Sequence, residues 1–369
     1  MNPVLHVLGA PAQTIAMIAI NAVWEDAGIV LAVAIVLRLW PCLNAATRYT
    51  VWFVALVAAL ATPVVTTLST RAQLPLAVSH SIVIPSVGAQ PRSRGTTATL
   101  RDSGYATARA VTKASPLASS KLRPQIPLSA AAAIGIASLW IVALLVGLVR
   151  LIGGLVRLER VKQNALPLPL QYREGLARHD ASAHDREIRF CVSDQTEVPV
   201  AVGLFDSMVL IPRHLLESLS PSELEQVCLH ECAHLRRADD WTNLLQRALV
   251  AVLSFSPAVY AIARGLDLER EVACDDDVVT KTGAVRPYAQ CLTRMAEVTS
   301  WPHRALAAPG VFVTRRGISE RIERLLHVGR NVTRGLALAP TAVTFVVVGA
   351  LGLGMEAVAP TLGAPPAPV

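Results

Sequence analysis

Residues 220–240 read SPSELEQVCLHECAHLRRADD, and whether this stretch is helical decides what the rest of the chain can be. Ser220 can cap a helix, Pro221 suits the first helical position, and Glu223 completes a capping box. A helix is therefore predicted from Pro221 through the two histidines. At 3.6 residues per turn, His230 and His234 lie on one face about a turn apart, where both imidazoles can reach the same metal ion. Glu231 sits about 100° round from His230, close enough to act on a water at such an ion without being a ligand. Cys228 and Cys232 fall almost opposite the histidine pair and read as small buried hydrophobes on the back of the helix.

A catalytic zinc takes three protein ligands and keeps one position open, so a third donor should lie elsewhere. The candidate is LDLEREVACDDDVV, residues 266–279, where Glu271 and Asp275 are four apart on a helical segment and Glu271 comes 37 residues after His234. Glu271 is the expected third ligand. Asp275, on the same face, can accept the free N–H of a ligand histidine and fix its tautomer. Each motif alone could be a charged, solvated helix face; their combination favours the metal. Upstream, 188–212 is dense in Val, Ile, Leu and Phe and broken by Gly203 and Asp206, which predicts two or three short strands in a small sheet.

The surroundings are apolar. A mean hydropathy of +0.46 with 17% charged residues points away from an ordinary soluble protein. Four stretches are long enough to cross a bilayer, roughly 14–37, 49–68, 128–149 and 336–355. Glu25 and Asp26 fall near the middle of the first. They imply two short helices with a polar joint, acids facing the bundle interior, or an ion path. The residues before Gln13 contain no Lys or Arg, so the first span does not read as a cleaved signal peptide.

Basic residues set the expected orientation. Arg38 and Arg48 follow the first span; Arg157, Arg160 and Lys162 open the long segment and Arg321, Arg324, Arg330 and Arg334 close it. These regions share the cytoplasmic side. The 70–127 connection is also basic, but most of its charges lie away from the membrane ends, and its Ser, Thr, Ala and Pro content predicts a flexible external loop. The expected division is 1–69 for the first two spans, 70–127 for the external loop, 128–150 for the third span, 151–335 for a cytoplasmic domain, 336–358 for the fourth span and 359–369 for a short external tail. Five of the six cysteines fall in 151–335, where thiols stay reduced, and no disulfide is expected.

HECAHLRRADDWTNLLQR, SFSPAVY and LEREVACD, preceded by VGLFDSMVLIP and followed by GISERIERLL, resemble the integral-membrane zinc metallopeptidases of the BlaR/MecR type. The resemblance covers about 198–326 and extends to the arrangement of spans. It implies a mainly α protein, a four-span helical bundle with an inserted cytoplasmic α+β zincin-like (gluzincin) protease domain. It also implies one zinc per chain on His230, His234 and Glu271, Glu231 as general base and acid, and Asp275 behind the ligands. Asp239, Asn243 and Arg270 match recurring positions, for which structural hydrogen bonding is expected. The sensor-transducers of this type carry a large external penicillin-binding domain after the fourth span; the eleven residues 359–369 do not match it.

The implied activity is endopeptidase hydrolysis in signal transduction at a bacterial cytoplasmic membrane. The expected partners are membrane lipid and a protein substrate, either a cytoplasmic transcriptional repressor or the chain's own linker. A homodimer is compatible with this reading, and direct nucleic-acid binding is not expected. Arg270, Tyr288 and His303 are the polar candidates for stabilising an oxyanion. The substrate is expected to lie extended along a strand within VAVGLFDSMVLIP, residues 200–212. The alternatives are a non-catalytic membrane receptor or scaffold with a structural zinc, against which an intact Glu231 argues, and a transporter built around Glu25 and Asp26.

Overall fold

The apolar stretches become four long helices. The computed structural model describes residues 3–72, 125–172, 188–298, 315–327, 329, 331–333, 335–358 and 360–362. Helices α1 (Pro3–Leu39), α2 (Ala45–Ala72), α3 (Ala130–Gln163) and α10 (Leu338–Val358) each hold a segment long and apolar enough to cross a membrane. The protein is mainly helical, with a small sheet. Helix α1 runs without a break through Glu25 and Asp26, both fully buried, so the acids face the bundle interior. Glu25 Oε1 accepts the Thr66 hydroxyl at 2.9 Å. Of the 70–127 connection, 73–124 lie outside the described residues.

Between the third and fourth spans lies a four-stranded sheet of β2 (Leu166–Pro167), β3 (Arg189–Ser193), β4 (Val200–Val202) and β5 (Met208–Pro212), in the order β2-β3-β5-β4. Strand β5 pairs parallel with β3 and antiparallel with β4, and all its residues are buried. This leaves β4 at an edge. A separate two-residue parallel pair joins β1 (Gln125–Ile126), before the third span, to β6 (Thr361–Leu362), after the fourth.

After the short α4 (Arg213–Ser218), α5 (Pro221–Arg236) starts where its cap predicts. The Ser220 N–H donates to Glu223 Oε2 at 2.8 Å and the Glu223 N–H to Ser220 Oγ at 3.4 Å, which closes the capping box. Cys228 and Cys232 turn toward the sheet and pack with Phe190, Val209 and Ile211. All six cysteines are free thiols. At the end of α5, Ala238 adopts a left-handed φ of 54°. A Cβ there costs about 1–2 kcal/mol, and the turn leads straight into α6 (Asp239–Val252).

Helices α6 and α7 (Pro257–Thr282) form a hairpin whose tip packs among the spans. Leu253, Val259, Ile262 and Leu266 share one apolar cluster with Ile29, Val33, Val51 and Leu56. The fit is close. A Cβ on Gly265 would come within 2.5 Å of the Trp52 indole, and one on Gly147 of α3 within 2.8 Å of Ala251. The Trp140 indole N–H donates to the Val252 carbonyl at 2.7 Å. Gly283, left-handed at φ 67°, ends α7, and α8 (Val285–Val298) and α9 (Arg315–Leu326) then cover the far side of α5 and α7.

Candidate metal centre

Helices α5 and α7 lie against each other with their polar faces inward. His230 Nε2 lies 3.4 Å from Glu271 Oε2, and His234 Nε2 lies 3.7 Å from Glu271 Oε1. The donor atoms of the three residues all fall within 4.8 Å of one another. Two donors bound to one tetrahedral zinc at about 2.0–2.1 Å stand roughly 3.3–3.4 Å apart, so the set fits that ion with little movement. The electrostatics agree. Burial and the Arg321 charge oppose protonation of His230, yet its hydrogen bonds to Asp275 and Glu271 raise its pKa to about 9. The carboxylates thus favour a cation at this point. Burial alone would raise the Glu271 and Asp275 pKa values, but Arg321 and His230 hold both well below the usual carboxylate range.

Each histidine has its own carboxylate behind it. His230 Nδ1 lies 3.3 Å from Asp275 Oδ1, and the Tyr288 hydroxyl lies 3.0 Å from the same nitrogen while donating to Asp275 at 2.8 Å. His234 Nδ1 lies 3.0 Å from Asp239 Oδ2, with Cys274 Sγ 3.3 Å away. Asp239, Cys274 and His234 also form a compact donor group, but His234 belongs to both groups through opposite nitrogens. An Nδ1–H held by Asp239 leaves Nε2 free toward Glu271. Sequence spacing led to an expected carboxylate behind a histidine, and Asp275 lies beside His230; the second, Asp239, depends on the Ala238 turn, which positions it beside His234.

The expected oxyanion candidates separate here. The Tyr288 hydroxyl is occupied by Asp275 and His230. Arg270 is buried in a network with Asp267, Asn243 and Gln246, and its guanidinium lies over the Tyr49 ring. His303 lies outside the described residues. Arg321, on α9, counts in the sequence only as one of the basic residues that set the orientation. It is buried, reaches both Glu271 and Asp275, and lines the cleft. Its sequence signals were its place in GISERIERLL and its charge near the end of the long segment; neither points to the site, since no local spacing links a residue on α9 to α7.

The cleft over this group is walled by Leu155 and Leu158 of α3 on one side and by the edge strand β4 on another. Glu231, His230 and His234 form part of its wall together with Asn243 and Leu244. It is a groove at the foot of the third span, apolar at its sides and ionisable at its base.

A family model described as BlaR1 peptidase M56 matches residues 17–325. The chain belongs to this family. The M56 match takes in all five residues expected from the sequence and Arg321, and it begins inside the first span. Membership implies a metallopeptidase. Among relatives, the methicillin resistance mecR1 proteins of Staphylococcus aureus and Staphylococcus epidermidis are 24% identical over 142 residues, 38% of this chain and 24% of theirs. The regulatory protein BlaR1 of Bacillus licheniformis is 24% identical over 163 residues, 43% of this chain and 27% of its own length. The matched part thus spans about a quarter of the length of these relatives.

Proposed function

We propose that this chain is a membrane-embedded zinc endopeptidase of the gluzincin type that cuts a protein chain at the cytoplasmic face of a bacterial membrane. The observation that carries the reading is the convergence of His230, His234 and Glu271 within 4.8 Å at the base of a cleft that Glu231 also lines. His230, His234 and Glu271 would hold the zinc, which when bound supplies a Lewis acid that polarises a carbonyl and makes a water acidic. Glu231 accepts the proton of the attacking water on its carboxylate and returns it to the leaving amide nitrogen. Asp275 and Asp239 keep the two imidazoles in register from behind. A purely structural zinc usually has a closed fourth position; among the described residues the donor group contains three members and opens on the cleft.

Strand β4 supports the expected mode of substrate binding. Its inner side pairs with β5 and its residues line the cleft, so an extended peptide can add there as a further strand. The expected 200–212 segment therefore splits into an inner strand and an edge. Proline at Val209 or Leu210 would break the core sheet, so the edge residues Val200, Ala201 and Val202 are the ones to test. At least one single proline there should impair cleavage with zinc content kept; full activity in all three would remove β4 from substrate binding.

Ser256 lies against Asp26, near the middle of the first span, and Glu271 follows fifteen residues later on α7. At 1.5 Å per residue that is about 22 Å along the helix, against roughly 15 Å for half a bilayer core. The cleft thus lies close to the membrane surface, which suits a tethered or membrane-near substrate such as a repressor or the chain's own linker. In this reading 151–335 is cytoplasmic except for the α6–α7 tip, which packs among the spans. Purified protein should hold one zinc and cleave peptide, while Glu231→Gln should keep the zinc and lose cleavage. Equal cleavage by both would remove Glu231 from the chemistry, and absence of zinc from the wild type would overturn the metal reading.

A further inference from the structure

Glu271 and Asp275 pose a physical problem. They lie one turn apart on the same face of α7, and like charges at that spacing repel. Asp275 is 1% exposed at its side chain and Glu271 24%, so water screens the pair poorly. The two acids must also do different things, since one faces both histidines and the other stands behind His230.

Arg321 resolves both requirements from a different helix. Its Nε donates to Asp275 Oδ2 at 2.9 Å and its Nη2 to Asp275 Oδ1 at 2.6 Å, a two-pronged grip. Its Nη1 lies 2.9 Å from Glu271 Oε2. All three nitrogens face carboxylate oxygens at 2.6–2.9 Å, while the contact of Nη2 with His230 Nε2 is longer, at 3.5 Å; the shorter carboxylate contacts fit a clamp better than a donor held ready for substrate. With both oxygens gripped, Asp275 can present Oδ1 only toward His230 Nδ1 and Tyr288. With Oε2 drawn toward Arg321, Glu271 turns Oε1 toward His234. The helix that supplies the clamp is itself fixed: one turn on, Arg324 Nη1 meets both Glu269 oxygens at 2.9 and 2.8 Å, and Glu269 also accepts from Arg48 Nε of α2 at 2.8 Å.

We propose that Arg321 is a positioning residue that sorts the two acids of α7, locking Asp275 behind His230 and aiming Glu271 as the metal ligand. This rests on the zinc reading above. A planar fork is needed for the sorting, and an ammonium cannot supply it. In full-length protein in detergent, Arg321→Lys should therefore still bind one zinc but about 10–100-fold more weakly by chelator competition, the usual effect of losing a group that orients ligands. Arg324→Lys, one turn away on the same helix, should lower the Tm but leave zinc affinity within about twofold, which separates positioning from the mere stability of α9. If Arg321→Lys does not fold, the charge-neutral pair Arg321→Gln with Asp275→Asn should restore folding and still bind zinc weakly. Wild-type zinc affinity in Arg321→Lys, or in that double variant, overturns the clamp while leaving the zinc reading intact. A wild type that binds no zinc overturns the reading beneath it.

Discussion

Helix α7 passes through two kinds of dry surroundings. Its first turns are packed among the spans, where Val259, Ile262 and Leu266 meet Ile29 and Leu56 and where Asp26 of α1 lies against Ser256. Its later turns carry Glu269, Glu271 and Asp275, whose carboxylates meet arginines from α2 and α9 and both histidines of α5. Asp26 and Asp275 are both fully buried. Yet Asp275 is gripped by Arg321, while neither Asp26 oxygen has a well-formed hydrogen bond among the described residues. Burial is therefore a poor guide to what an acid does here. The partners decide: a charge held among fixed opposite charges can orient its neighbours, whereas an acid without them contributes little to position.

The contrast can be broken most forcefully at Asp275. Asp275→Ala leaves Arg321 buried beside a cavity and should cost about 3–5 kcal/mol in unfolding experiments in detergent. Because Arg321 and His230 depress the folded-state pKa of Asp275 against its burial, its contribution is present above about pH 4 and is lost as the pH falls below that toward the folded value. The gap between wild type and variant should accordingly narrow in acid. A cost near zero at neutral pH would show that the Arg321 grip is not energetically significant.

An intermediate effect is expected at Asp239, which serves His234 as Asp275 serves His230. Asp239→Asn should weaken zinc binding about 10–100-fold by chelator competition, with a smaller loss of fold stability than Asp275→Ala. An unchanged affinity would mean that Cys274 and the helix alone hold the His234 ring. The smallest effect should come from Asp26→Asn. No cation is stranded by the change, so the stability difference should stay below about 1 kcal/mol. A loss as large as that of Asp275→Ala would erase the contrast and make the tip of the α6–α7 hairpin as demanding as the metal centre.

Much of this architecture was legible in the chain because it rests on local rules. Apolar runs of sufficient length give the four spans, and the Ser220–Glu223 box starts α5 in the register that brings His230 and His234 to one face. The four-residue interval on α7 likewise puts Glu271 and Asp275 on one face, and Cys228 and Cys232 fall on the back of α5 by the same rotation. What remained hidden depends on contacts between residues far apart in sequence. The insertion of the α6–α7 tip among the spans rests on apolar packing between distant residues, with close approaches of Gly265 to Trp52 and of Gly147 to Ala251, which no periodicity encodes. Which carboxylate serves which histidine depends on the turn at Ala238 and on the packing of α7 against α5. Arg321 lies 46 residues beyond Asp275. Helical repeat and capping act over a few residues and can be read along the chain, whereas the choice of ion partner is made only when separate helices bring their side chains within hydrogen-bond reach, and that is a property of the packed fold.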